Sequence, residues 1–177
     1  MTTNKKPLVS VQVGTRHETT RSGIIEVTDY KNAKEIKVKF INTGSTTVTD
    51  AKQIRFGWVK DTYAPTVYGK GYLGNNFYKK KTHPLLYRKW SDMLMRCYSE
   101  KYLSKYPTYK GCTVCESWLD FQVFAKWAEA NWVDDFDLDK DILVSGNKEY
   151  SPDKCMFVSR EDNMKKANES KQKGVKQ

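Results

Sequence analysis

The sequence predicts an α+β protein, with a small strand-rich module in front and a mainly helical domain behind it. Three observations carry that prediction. Ile36-Lys37-Val38-Lys39-Phe40 alternates apolar and basic residues, the period-2 signature of a half-buried strand. Leu86, Trp90, Met93, Leu94 and Cys97 recur at helical spacing behind Pro84, a residue suited to a first helical turn. Residues 137–162 read as strand, turn, loop, strand and capped helix.

In chain order, Leu8, Val9, Val11 and Val13 form an apolar, largely β-branched run that stops at Gly14. Gly23 to Val27 and Thr47 to Ile54 supply two more strands beside 36–40, set apart by the turn-formers Asp29, Asn32, Asn42 and Gly44. Four or five short strands within residues 1–60 favour a small curled sheet, a β-barrel, because closure hides strand edges. Residues 61–83 form a connector with Pro65, Gly69, Gly71, Gly74, Asn75 and Asn76, ending in Lys79-Lys80-Lys81. Its Tyr63, Tyr68, Tyr72, Phe77 and Tyr78 are too many aromatics for a free linker, so it should be an ordered strap.

Residues 84–177 make the helical domain. A second helix is expected from about Ser117, with Trp118, Phe121, Phe124, Ala128 and Trp132 on one stripe. Tyr102 to Val114, between the helices, reads as a tyrosine-rich loop. Asp137 to Val144 reads as a strand, Ser145-Gly146-Asn147-Lys148 as a turn and Cys155-Met156-Phe157-Val158 as another strand. Ser159 then caps a helix whose first turn, Arg160-Glu161-Asp162, is mostly acidic.

Composition narrows the function. Apolar residues are 38% and mean hydropathy is −0.74, so the 5 Trp, 11 Tyr and 7 Phe must supply much of the core. No apolar run approaches the roughly 20 residues of a membrane-spanning helix. Met1 to Lys6 is polar, without the apolar centre of a signal peptide, so the expected location is cytoplasmic, with no membrane partner. The net charge of +10 is uneven. Residues 1–60 carry 11 basic and 5 acidic side chains, and 79–110 carry 9 and 2, whereas 111–139 carry 1 and 7. Basic segments flanking an acidic one point to a polyanion, with DNA foremost. The candidate contacts are Lys37, Lys39, Lys79, Lys80, Lys81, Arg88, Lys89 and Arg96. Lys37 and Lys39 serve equally as strand-edge protection. Tyr98, Tyr102, Tyr106 and Tyr109 interleave with Lys101, Lys105 and Lys110, a pattern that suits base stacking or plain packing.

Cys112-x-x-Cys115 has the spacing of half a zinc knuckle, and Cys97 and Cys155 are the residues that would complete a structural Zn site. Buried core thiols are the alternative.

Residues 137–170 resemble the HNH endonuclease family in its phage-encoded form. The resemblance rests on Gly146-Asn147-Lys148, Phe157-Val158-Ser159 and Asp162-Asn163 in matching order. Trp90-x-x-Met93-x-x-Arg96-Cys97, with Trp118, Phe121 and Phe124, is similar to an element found beside such motifs. Thr43-Gly44 and Val67-Tyr68-Gly69-Lys70-Gly71-Tyr72 are similar to an SH3-like module that such phage proteins carry. The resemblance implies an SH3-like barrel followed by a helical domain that ends in an HNH-like ββα motif. It implies a general base at the position of Lys140, with Asp139, Asp141 and Asn163 as further candidates for a Mg site. A histidine base is absent, since His17 and His83 both lie outside the motif. On such a scaffold the helix lies against the duplex, a role that Lys165 and Lys166 suit. Three functions follow: a phage-derived double-stranded DNA-binding protein that has lost catalysis, an interaction protein whose charged faces inhibit a host enzyme or defence complex with an acidic surface, or an active endonuclease or nickase.

Overall fold

The structure is a computed structural model that describes residues 10–75, 77–159, 161–162 and 164–165. It is mixed α+β and divides into two compact units, Met1–Ala64 and Pro65–Gln177.

The first unit is a four-stranded antiparallel sheet in the order β1 (Arg16–Glu18), β2 (Ile24–Asn32), β3 (Glu35–Phe40) and β4 (Thr46–Thr49). Alternation in β3 places Ile36, Val38 and Phe40 inside with Ile25 and Val27 of β2. Each such side chain, fully buried, is worth roughly 1.5–3 kcal/mol over leaving it in water. Register shifts at Val27/Asp29 and Tyr30/Asn32 bend the β2–β3 pair. The Asn32 side chain accepts the Lys34 N–H at 2.9 Å and so fixes the turn between them. At the β3–β4 turn, buried Asp61 accepts hydrogen bonds from the hydroxyls of Thr43 and Ser45, and its own N–H donates to Ser22 Oγ.

Two expectations fail here. The sheet is not a closed barrel, because β1 and β4 remain its edges. The expected strand 47–54 stops at Thr49, since the Asp50 carboxylate accepts the Gln53 N–H at 2.8 Å and starts helix α1 (Ala51–Arg55). In the apolar run at 8–13, Val11 is buried and Val13 exposed without forming a strand, and the earlier positions lie outside the described residues.

The second unit is built on α2 (Pro84–Tyr98), which buries Leu86, Trp90, Met93, Leu94 and Cys97, the stripe read from spacing. Against it packs α4 (Phe121–Ala130), whose Phe121, Phe124, Ala125 and Ala128 are buried. This helix begins later than expected because Asp120 caps it, accepting the Gln122 N–H at 2.8 Å. Trp118 sits on the preceding 3-10 turn, where its carbonyl accepts Trp90 Nε1–H at 2.8 Å. Trp132 lies beyond the helix end and meets the Phe157 ring edge-on.

The strap is ordered. Tyr72 pairs with the segment before α4 through N–H to Leu119 O and O to Phe121 N–H. Gly71 lies so close to Trp90 and Leu94 that a Cβ would collide with both. Buried Gln122 clamps the strap: its Oε1 accepts the Tyr78 N–H at 2.8 Å, and its Nε2 donates to the carbonyls of Tyr78 and Leu73.

The segment expected as a tyrosine loop holds α3 (Glu100–Lys105), capped by Ser99, a 3-10 turn at Pro107–Tyr109 and β5 (Thr113–Val114). The strand expected at 137–144 is only β6 (Asp137–Asp139). β6 pairs antiparallel with β8 (Met156–Val158), and β5 pairs parallel with β7 (Glu149–Tyr150). Ser159 Oγ accepts the Asp162 N–H at 3.1 Å, the capping contact expected there. Among the described residues no helix is long and apolar enough to cross a membrane.

Candidate functional site

A cleft of about 590 Å³ opens between the last turn of α2, the 3-10 turn at 107–109 and the loop between β6 and β7. Arg96, Tyr109, Lys148 and Tyr150 line one part of it, and Asp139 and Asp141 another. Of the HNH-like candidates, Asp139, Lys140 and Asp141 line this cleft, and their bonding is that of a braced loop.

Asp139 ends β6 because its Oδ1 accepts the N–H groups of Asp141 and Ile142 at 2.7 and 2.6 Å. The chain turns away there, leaving Leu143 and Val144 exposed. Lys140 is only 6% exposed. Its Nζ donates to both Asp141 carboxylate oxygens, at 2.7 and 2.6 Å, and to the Asn147 carbonyl at 2.8 Å. Asn147 returns the tie, with Nδ2 donating to the carbonyls of Lys140 and Glu149. Lys154 is held by Glu149 at 2.6 Å, and that hydrogen bond raises its pKa.

This donor set does not fit a divalent cation. The ammonium of Lys140 stands where the metal would need open oxygens, and it engages both oxygens of Asp141. The Lys140 side chain is held between the Asp141 carboxylate and the Asn147 carbonyl, and it is buried. Lys140 and Lys154 are thus both paired within the motif.

The cysteines gather in one core without forming a ligand set. Cys97, Cys112 and Cys155 are buried together, Cys115 packs at the margin, and all are free thiols. Burial pushes the Cys97 and Cys155 thiols up to about 12. Among the described residues no three His, Cys, Asp or Glu side chains stand as a metal-binding group. The expected pair Cys112 and Cys115 thus lies beside Cys97 and Cys155 in the core of the second unit, as the sequence grouping has it, and as free thiols.

The basic candidates divide. Lys79, Lys80, Lys81 and Arg88 are exposed, and among the described residues no carboxylate pairs with them. Lys80 Nζ sits 4.9 Å from the centre of the Tyr87 ring. Lys89 is committed inward, 2.6 Å from Asp137 and 2.9 Å from the Phe136 carbonyl, and braces β6. Arg96 is half-buried, hydrogen-bonded to the hydroxyl of buried Tyr150 and 5.9 Å from the Tyr109 ring centre. Lys37 and Lys39 are exposed but stand opposite Asp29 and Glu26 of β2, so that face is mixed in charge. Lys165 is exposed, while Asn163 and Lys166 lie outside the described residues. The tyrosines mostly pack: Tyr98 Oη accepts the Val114 N–H, and Tyr102 packs at a tilt against Tyr106 and edge-on to Tyr109.

Sequence reasoning missed three groups. Gln122 carried no signal in periodicity. Tyr150 was read as part of a loop, although an aromatic one residue from a strand-like turn is a packing signal. Phe56 and Trp58, flanking Gly57 just after a capped helix, were passed over. No protein-family model, curated protein or solved structure matches the chain.

Proposed function

We propose that the chain is a phage-derived double-stranded DNA-binding protein whose second unit is an HNH-endonuclease-like scaffold without catalysis. The observation that carries this reading is the exposed cationic run Lys79-Lys80-Lys81, paired with no carboxylate among the described residues, leading into α2, with Arg88 one turn further on. The ββα reading is supported by the order of β6, antiparallel β8 and a helical turn capped by Ser159. The likeness of the first unit to an SH3-like module rests on its short, bulged antiparallel strands. Loss of catalysis is supported by the locked Lys140 ammonium.

Such binding is led by phosphates and indifferent to sequence. If about six phosphates are neutralised, affinity for plain duplex falls roughly a thousandfold between 50 and 200 mM salt. A gel shift across that salt range tests it. Binding that is absent at low salt would sink the proposal and favour an acidic host protein as the partner. Supercoiled plasmid with Mg²⁺ or Mn²⁺ should stay uncut.

A further inference from the structure

We infer that the first unit carries a second nucleic-acid site, a stacking platform for single-stranded DNA formed by Phe56 and Trp58. The two rings stack face to face, 4.7 Å between centroids and 21° apart, yet Phe56 is 57% and Trp58 51% exposed. Large aromatics that could bury against the apolar sheet are instead held in water as a pair.

The backbone holds them there firmly. Gly57, between them, has φ +67, and a Cβ would stand 3.0 Å from the Glu18 carbonyl and 3.4 Å from Thr19 Cα and Thr20 N. Its carbonyl accepts both the N–H and the hydroxyl of Thr20, at 2.9 and 3.1 Å. Gly57 N–H donates to Ile54 O, and Trp58 N–H donates to Gln53 O at 2.9 Å. Val59, next along, is in the core. The segment is thus pinned on both sides, and only a glycine fits at its centre. A preset aromatic face loses little freedom when a flat ligand stacks on it.

Charge chooses the ligand. Lys52, Arg55 and Lys60 flank the pair in sequence, all exposed, while of the two bracketing acids Asp61 is buried under Thr43 and Ser45 and Asp50, with Lys52 beside it, caps α1. Exposed Arg21 follows Thr20, the residue bonded to Gly57. Flat apolar faces within a cationic border match bases on a phosphate chain, since stacking is sequence-tolerant and the cations neutralise phosphate. A proline-rich peptide would use the rings but not the charge. Single strands are favoured over duplex because paired bases have no free face. The choice of DNA over RNA rests on the proposed duplex binding of the same chain.

The test uses the full chain and fluorescently labelled oligo(dT) of about 12 nucleotides, read by anisotropy at low salt. Wild type should bind. Phe56→Ala and Trp58→Ala should each weaken binding about tenfold, while Phe56→Tyr keeps it. These side chains are exposed, so circular dichroism and melting should be unchanged. Replacing Lys79, Lys80 and Lys81 by Ala should spare oligo(dT) binding while weakening duplex binding, which separates this site from the proposed duplex surface. Binding of oligo(dT) that is unaffected by both alanine variants overturns the platform. Tighter binding of oligo(U), or binding of a proline-rich peptide in place of oligo(dT), overturns the choice of ligand.

Discussion

Lys140 is the residue at which sequence and structure part most clearly. Its place in the motif is that of the general base, yet the side chain turns inward and bonds Asp141 and the Asn147 carbonyl. Lys140→Ala therefore leaves a carboxylate and a carbonyl without their donor, and breaking a part-buried pair costs about 2 kcal/mol when one partner stays half exposed. Urea unfolding should show that loss, with plasmid uncut before and after. A variant as stable as wild type, or nicking that depends on Lys140, would contradict the braced-loop account. The thiols give a second check at this scale. Cys97, Cys112 and Cys155 are 6%, 3% and 3% exposed, while Cys115 is partly open. A thiol reagent on native protein should label one cysteine per chain, and Cys115→Ser should abolish the reaction. Rapid labelling of all four would mean the shared core is wrong. The position of Lys140 was legible; its orientation was not, because motif order says nothing about which neighbour will supply a counter-charge.

Elements were legible where one side-chain stripe decided them. The α2 stripe is the clearest case, since Leu86, Trp90, Met93, Leu94 and Cys97 define one face and Pro84 marks the start. β3 was legible for the same reason at period 2. Where a short polar side chain captures a backbone N–H, periodicity misleads. Asp50 ends β4 and starts α1, Asp120 delays α4, and Asp139 stops β6 although Ile142-Leu143-Val144 continues a strand-like run. The strap was legible as ordered from its aromatics, but its fastening depends on Gln122, one polar residue on an apolar helix face. Gln122→Ala removes the partners of Tyr78 N–H and of the Tyr78 and Leu73 carbonyls. Leaving such groups unpaired costs roughly 1–3 kcal/mol each unless water replaces the amide. Limited proteolysis should then cut within residues 65–83 faster than in wild type, and the conservative Gln122→Glu should protect only in part. Equal cutting rates would show that the apolar contacts of Tyr72 and Tyr78 suffice.

At the scale of the molecule, the acidic stretch 111–139 lies between basic ones in sequence, and the fold uses part of it internally through Lys89–Asp137. On the proposed reading, the basic excess that remains exposed would carry the binding of duplex. The decline of stability in alkali is set instead by how deeply the second unit buries its thiols and the Tyr150 hydroxyl. Burial pushes the Cys97 and Cys155 thiols from about 9.0 up to about 12 and raises the Tyr150 hydroxyl as well. Below about pH 9 the thiols are protonated in folded and unfolded chains alike, so stability is full. Between 9 and 12 the unfolded chain releases protons that the folded chain retains, and stability falls as pH rises. Urea midpoints should therefore hold steady from pH 7 to about 8.5 and decline steeply above about 9.5. Cys97→Ala adds a small cavity and lowers the midpoint at neutral pH, yet it should flatten the decline because one of the responsible protons is gone. The slope, rather than the midpoint, is the discriminating measurement. An unchanged slope in both Cys97→Ala and Cys155→Ala would mean the thiols are hydrated in the folded state, and the core that joins α2 to β7 and β8 would have to be redrawn.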